Sequence, residues 1–158
     1  MISITTKTLE DLEFNTILET VSGLCTTEMG KEKAFEIVPF KNKEELKDAL
    51  KQTSEYQSSY SNNNAIPSHY FDAITHELKF LAIEDSYIEI SGLRKIATLS
   101  ENTNILLYFF KKFEDYYPTL AKKSAEIEIT KYITQTIDDV SDKYGEIKDK
   151  CQFYPQWF

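Results

Sequence analysis

Two histidines, two cysteines, one arginine and several acid pairs are the side chains here with the chemistry for metal binding, redox work or proton transfer. His69 and His76 are separated by a loop-to-helix boundary and have no further ligand at metal spacing, so both read as surface or packing residues. His76-Glu77 opens like a zinc-protease helix. That motif needs a second imidazole one turn later on the same face, and Phe80 occupies the place. Cys25 and Cys151 lie far apart without Cys or His companions, the pattern of free thiols in a reducing compartment. Gly30-Lys31 lacks the upstream glycine and following hydroxyl of a phosphate-binding loop, and reads as a helix-packing position. Ser22-Gly23 and Ser91-Gly92 are not set in a nucleophile elbow. Glu84-Asp85, Glu114-Asp115 and Asp138-Asp139 read as solvated helix ends and faces, because acid–base catalysis needs two acids in one cleft with separated pKa values. The sequence therefore offers no catalytic residue, no cofactor-binding residue, no cofactor and no metal ligand.

Aromatic residues are the remaining candidates. Tyr56, Tyr60 and Tyr70 flank an Asn-rich loop and form a candidate partner-binding patch. Phe153, Tyr154, Trp157 and Phe158 form an aromatic tail without helical period, and such a density of rings is costly unless it is packed or bound. The expectation is that the tail folds back on its domain or meets a partner or a second copy. Tyr108, Phe109, Phe110, Phe113, Tyr116 and Tyr117, with Lys111 and Lys112 interleaved, resemble a stacking platform for single-stranded nucleic acid. Phe109, Phe113 and Tyr116 share a helical face with Leu106, however, and are expected in the core. Charge also opposes nucleic acid. The 18 basic residues face 26 acidic ones for a net of -8, and Arg94 alone has the fork geometry that grips phosphate.

The elements that position these residues are helical. Gly and Pro number four each across long periodic stretches, which favours helices over a turn-rich β architecture. Apolar residues at Leu9, Leu12, Ile17, Leu18, Val21 and Leu24 predict a first helix over 7–24. Thr26 or Thr27 caps a second over 28–38, stopped by Pro39, and Asn42 with Glu45 opens a third. Residues 61–68 are the clearest loop. A fourth helix is predicted over 71–82. Asp85 or Ser86 then caps a long rod reaching Phe113, which suits a lever or spacer. Pro118 starts a short helix, and Ile129, Tyr132, Ile133, Thr136, Ile137 and Val140 define a last apolar face before a turn at Ser141–Glu146. The expectation is an all-α irregular bundle of six or seven helices, one domain over 1–149 followed by the tail 150–158. No signal peptide opens the chain and no run of about 18 apolar residues occurs, so a cytoplasmic protein with no membrane partner is expected.

One resemblance adds to this reading. The order Thr8-Leu9, Leu12-Glu13-Phe14, Ile17-Leu18, Thr27, Gly30-Lys31, Ala34, Ile37 and Pro39 resembles the opening of the second bacterial branch of MutS proteins. A second echo lies at Ile137-Asp138 and Gly145-Glu146-Ile147-Lys148-Asp149. These are helix-packing signatures and not catalytic ones. The resemblance implies the helical core and lever that connect a DNA-embracing clamp with an ATPase in a DNA mismatch repair-like protein. It implies DNA as a partner only for the full-length parent. After Asp149 the chain departs from the family pattern into Lys150-Cys151-Gln152-Phe153 and ends at Phe158. The residues that bind ATP and Mg²⁺ in the family, and those of its Smr nuclease domain, have no counterpart here, which implies a polypeptide cut before its clamp and without enzymatic activity.

Overall fold

A computed structural model describes residues 4–148, and these are all-α, as the periodicity predicts. Eight helices occur among the described residues, α1 (Thr6–Asp11), α2 (Phe14–Leu24), α3 (Glu28–Phe35), α4 (Lys43–Ser58), α5 (Thr75–Leu81), α6 (Ile90–Lys112), α7 (Pro118–Ser124) and α8 (Lys131–Val140). The helix predicted over 7–24 is two. Glu13 takes a left-handed conformation with φ 51°, which costs a residue with a Cβ and ends the helical ladder between Leu12 and Phe14. The region read from sequence as 1–149 divides at Ala65–Ile66 into two compact units.

In the first unit, local capping sets the helix starts. Thr5 Oγ1 accepts the Thr8 N–H at 3.2 Å, Thr27 Oγ1 accepts the Gly30 N–H at 3.1 Å, and Asn42 Oδ1 accepts the Glu45 N–H at 2.8 Å. Each satisfies a donor that has no partner inside its helix. Helices α2 and α3 pack together around Leu18, Ser22 and Ala34, and the Ser22 hydroxyl donates to the Lys31 carbonyl at 3.4 Å. Gly30 sits in this contact, where a Cβ would come within 3.0 Å of Thr27 Oγ1 and 3.4 Å of Cys25 Cβ. Most of the apolar stripe read from sequence is not covered. Leu12, Ile17 and Leu24 are 65%, 53% and 79% exposed, and α4 buries none of its residues.

The second unit is built on α6, whose 23 residues span about 35 Å at 1.5 Å per residue. Its face packs on α8 around Ile74, Ile96, Ala97 and Ile137, with Leu93, Leu99 and Ile133 at the margin. Asp85 and Ser86, expected to cap α6, instead close α5. Asp85 adopts φ 61° and the Ser86 hydroxyl donates to the Phe80 carbonyl, while Glu89 occupies the N-cap of α6. Helix α5 begins four residues later than the predicted Phe71, at Thr75. The Tyr70 carbonyl accepts from Asn102 Nδ2 at 2.9 Å, so a residue of α6 takes the backbone group that would have started the helix.

A buried polar link joins α6 to the start of α8. The Thr130 N–H donates to Asn104 Oδ1 at 2.9 Å, and the Ser100 hydroxyl donates to the Thr130 carbonyl at 3.0 Å. Asn104 and Ser100 are 7% and 6% exposed. Asn104→Ala leaves the Thr130 N–H without its acceptor and is expected to destabilise the chain by about 1–3 kcal/mol. Urea denaturation followed by far-UV circular dichroism measures the change, and an unchanged midpoint would contradict the assignment.

After α8 the chain turns back. Ser141 and Ile147 form an isolated antiparallel bridge, Asp142 Oδ1 accepts the N–H groups of Tyr144 at 2.8 Å and Glu146 at 2.9 Å, and Gly145 takes φ 85°. These backbone donors, led by that of Glu146, hold the Asp142 carboxyl below its ordinary value. This is the turn predicted over Ser141–Glu146, with glycine at the position that needs positive φ.

Candidate functional site

The described residues with the most distinctive chemistry meet where α5 faces the start of α6. Glu77, third residue of α5, is only 8% exposed. Its Oε1 accepts from Lys95 Nζ at 3.1 Å, while its Oε2 is buried with no hydrogen-bond partner. The close approach depends on Gly92, because a Cβ there would stand 2.9 Å from both Glu77 Cγ and Ile88 Cγ2. The residue's own N–H at the helix start, and then the Lys95 ammonium, hold the Glu77 carboxyl below the usual range against the opposing effect of burial. These contacts favour the charged form of the Glu77 carboxyl.

Around it lies a cavity of about 310 Å³, walled by His76, Phe80, Tyr87, Ile88, Glu89 and Ser91 as well as Glu77, Gly92 and Lys95. The His76 and Phe80 rings pack with centroids 4.6 Å apart. Phe80, which excludes a zinc-protease motif, therefore serves as the packing partner of the imidazole. Tyr87 stands 82% exposed, and the Ser91 hydroxyl donates to Glu89 Oε2 at 3.3 Å. Among the described residues no group of three or more His, Cys, Asp or Glu side chains is placed to hold a metal ion.

Of the aromatic candidates, Tyr56 and Tyr60 are brought together. Their rings meet edge-on at 5.7 Å and their hydroxyls share a hydrogen bond at 3.3 Å. That bond, and then partial burial, pushes the Tyr56 hydroxyl up to about 12. Tyr60 is 76% exposed. Tyr70 belongs to the second unit, is exposed, and donates its hydroxyl to Asp72 Oδ1 at 3.1 Å. Phe153, Tyr154, Trp157 and Phe158 lie outside the described residues, as does Cys151. Cys25 is a free, half-buried thiol donating to the Val21 carbonyl at 3.3 Å.

The cluster read as a stacking platform or core resolves around a different tyrosine. Tyr117 is 0% exposed, with its ring 5.6 Å from Phe109 and 6.1 Å from Phe110, whereas Tyr116, expected in the core, is 60% exposed. The helical face ends with α6 at Lys112, so the period that placed Tyr116 inward no longer holds after the turn. Phe109 and Phe113 do pack, at 4.8 Å. In sequence Glu77 stands out only beside His76, in a zinc-protease pattern that Phe80 breaks, and nothing there marks it as buried. The one signal for it was Gly92, a glycine inside an apolar-periodic helix, which marks a close approach.

No helix among the described residues is long and apolar enough to cross a membrane. No protein-family model matches the chain, and no solved structure does. Three curated relatives carry the name Endonuclease MutS2. The chain is 29% identical over 109 residues to the one from Pediococcus pentosaceus, covering 69% of this chain and 14% of that protein. It is 28% identical over 147 residues to the one from Alkaliphilus oremlandii, covering 92% and 18%. It is 24% identical over 152 residues to the one from Leuconostoc mesenteroides, covering 93% and 19%. The chain thus spans less than a fifth of the length of the curated relatives it matches, and two of those matches cover more than nine-tenths of its own length.

Proposed function

We propose that this chain is a helical structural module of a MutS2-like protein of DNA repair or recombination control, and that it is not catalytic by itself. The observation that carries the reading is the similarity to MutS2 proteins over 92% and 93% of the chain. In this reading the module is the core and lever of the family, with α6 as the rigid rod. The chemistry agrees. The buried Glu77 carboxyl is held below its usual range by its own N–H and then by Lys95, away from the raised value of a general acid at neutral pH. The apolar side chains that the first unit leaves exposed suit an element that packs against further protein.

Fluorescence anisotropy with branched and duplex DNA at low salt, paired with a nucleotide-turnover assay, tests it. A net charge of -8 should give no saturable DNA binding, and a module that is not catalytic should give no turnover. Turnover would overturn the non-catalytic reading, and salt-sensitive binding would make the chain a nucleic-acid-binding domain. A second reading, a stand-alone helical adaptor that docks a protein partner, is favoured by the exposed edge of the Tyr56–Tyr60 pair. Light scattering that shows a dimer, lost when residues 150–158 are removed, would favour that adaptor.

A further inference from the structure

The cavity between α5 and α6 has a composition that a strut does not need, and what it points to is independent of the MutS2 reading. We propose that it is a receptor for one guanidinium group, that of an arginine side chain on a partner polypeptide. Glu77 lines the cavity, is nine-tenths buried, and has an oxygen, Oε2, with no donor while Lys95 occupies Oε1. A buried carboxylate oxygen without a donor is a costly arrangement. The terminal torsion of a glutamate is soft, and the Lys95 side chain is 43% exposed, so both members of the pair have freedom to adjust to an incoming cation.

Charge selects the ligand's sign. In the lining the carboxylates of Glu77 and Glu89 outnumber the Lys95 ammonium, and a monovalent cation complements that balance. Shape selects its kind. The His76 and Phe80 rings on one side and the exposed Tyr87 on the rim offer aromatic surface to a flat, weakly hydrated cation. A guanidinium stacks on such faces and gives two parallel donors to one carboxylate, which the compact, strongly hydrated lysine ammonium does not. The volume of about 310 Å³ lies at the small end of ligand sites and suits one side-chain head with part of its stem. Gly92 keeps Glu77 in this position, since any side chain there would displace it or Ile88.

Amide NMR of the full chain titrated with the blocked tripeptide Gly-Arg-Gly tests the proposal, alongside the same peptide with citrulline or lysine and free L-arginine. Saturable shifts at Glu77 and across Tyr87–Lys95 are expected with the arginine peptide. Binding should weaken at least about fivefold with citrulline, which has the shape without the charge, and also with lysine. Free arginine, which lacks the flanking peptide groups, should bind less well than the blocked peptide. Tyr87→Ala and Glu89→Gln change exposed positions and leave folding intact. Each should weaken the arginine peptide about threefold, the scale of an exposed cation–π or charge contact. Absence of saturable shifts at millimolar arginine peptide, equal binding of citrulline or lysine, or no effect of either variant would overturn the guanidinium assignment. Tighter binding of free arginine would overturn its polypeptide source.

Discussion

Tyr117→Ala is expected to destabilise the second unit by about 3–5 kcal/mol, the cost of removing a fully buried aromatic ring. Tyr117 is 0% exposed, and its ring meets Phe109 at 5.6 Å and Phe110 at 6.1 Å, so truncation opens a void beneath the end of α6. The same residue carries the turn into α7, its N–H donating to the Phe113 carbonyl at 3.1 Å and its carbonyl accepting from the Ala121 N–H at 2.8 Å. Tyr117→Phe keeps the ring and should retain most of the stability. Tyr116→Ala, at a position 60% exposed, should change stability by less than about 0.5 kcal/mol. Urea denaturation followed by circular dichroism at the helical band compares the three. A domain of this size has only about 5–15 kcal/mol in total, so the alanine variant should lose a large share of its cooperative transition at ambient temperature. Equal effects at 116 and 117 would show that the aromatic cluster is not centred as described.

Ile137→Ala should cost about 2–5 kcal/mol by the same measurement. Ile137 is 8% exposed and closes the cluster of Ile74, Ile96 and Ala97 through which α8 packs on α6. Ile137→Val removes one methylene from that cluster and should cost about 0.5–1.5 kcal/mol, a graded response that identifies a packing effect. Tyr132 lies on the same apolar face in sequence but is 66% exposed, so Tyr132→Ala should be close to neutral. Losing α8 would also release Arg94, whose guanidinium pairs with Asp138 at 2.5 Å, but that half-exposed pair contributes little beside the apolar contact. If the alanine and valine variants were equally mild, the α6–α8 contact would not be the core of this unit.

The chain is similar to MutS2 proteins over 92% and 93% of its length. Its residues are organised for stiffness and for surface contact. A rod of about 35 Å carries the second unit, while the first leaves Leu24, Val38 and Leu12 79%, 67% and 65% exposed. Side chains of that kind are held in water only at a cost.

What the amino-acid order determined by itself is what depends on neighbours along the chain. Thr27 and Asn42 cap α3 and α4 as their sequence context predicts, because the donors they satisfy lie three residues away. Pro118 starts α7, having no N–H to lose there, and Asp142 with Gly145 makes the turn after α8. The all-α class follows from the same local periodicity. What only the tertiary structure decided are the matters settled by distant groups. The late start of α5, where Asn102 holds the Tyr70 carbonyl, overrides a helical pattern that reads as beginning at Phe71. The choice of Tyr117 over Tyr116 depends on the path of the turn, and the burial of Glu77 depends on a glycine and a lysine on another helix. Local hydrogen bonds are encoded within a few residues, whereas burial is a property of what the folded chain brings alongside.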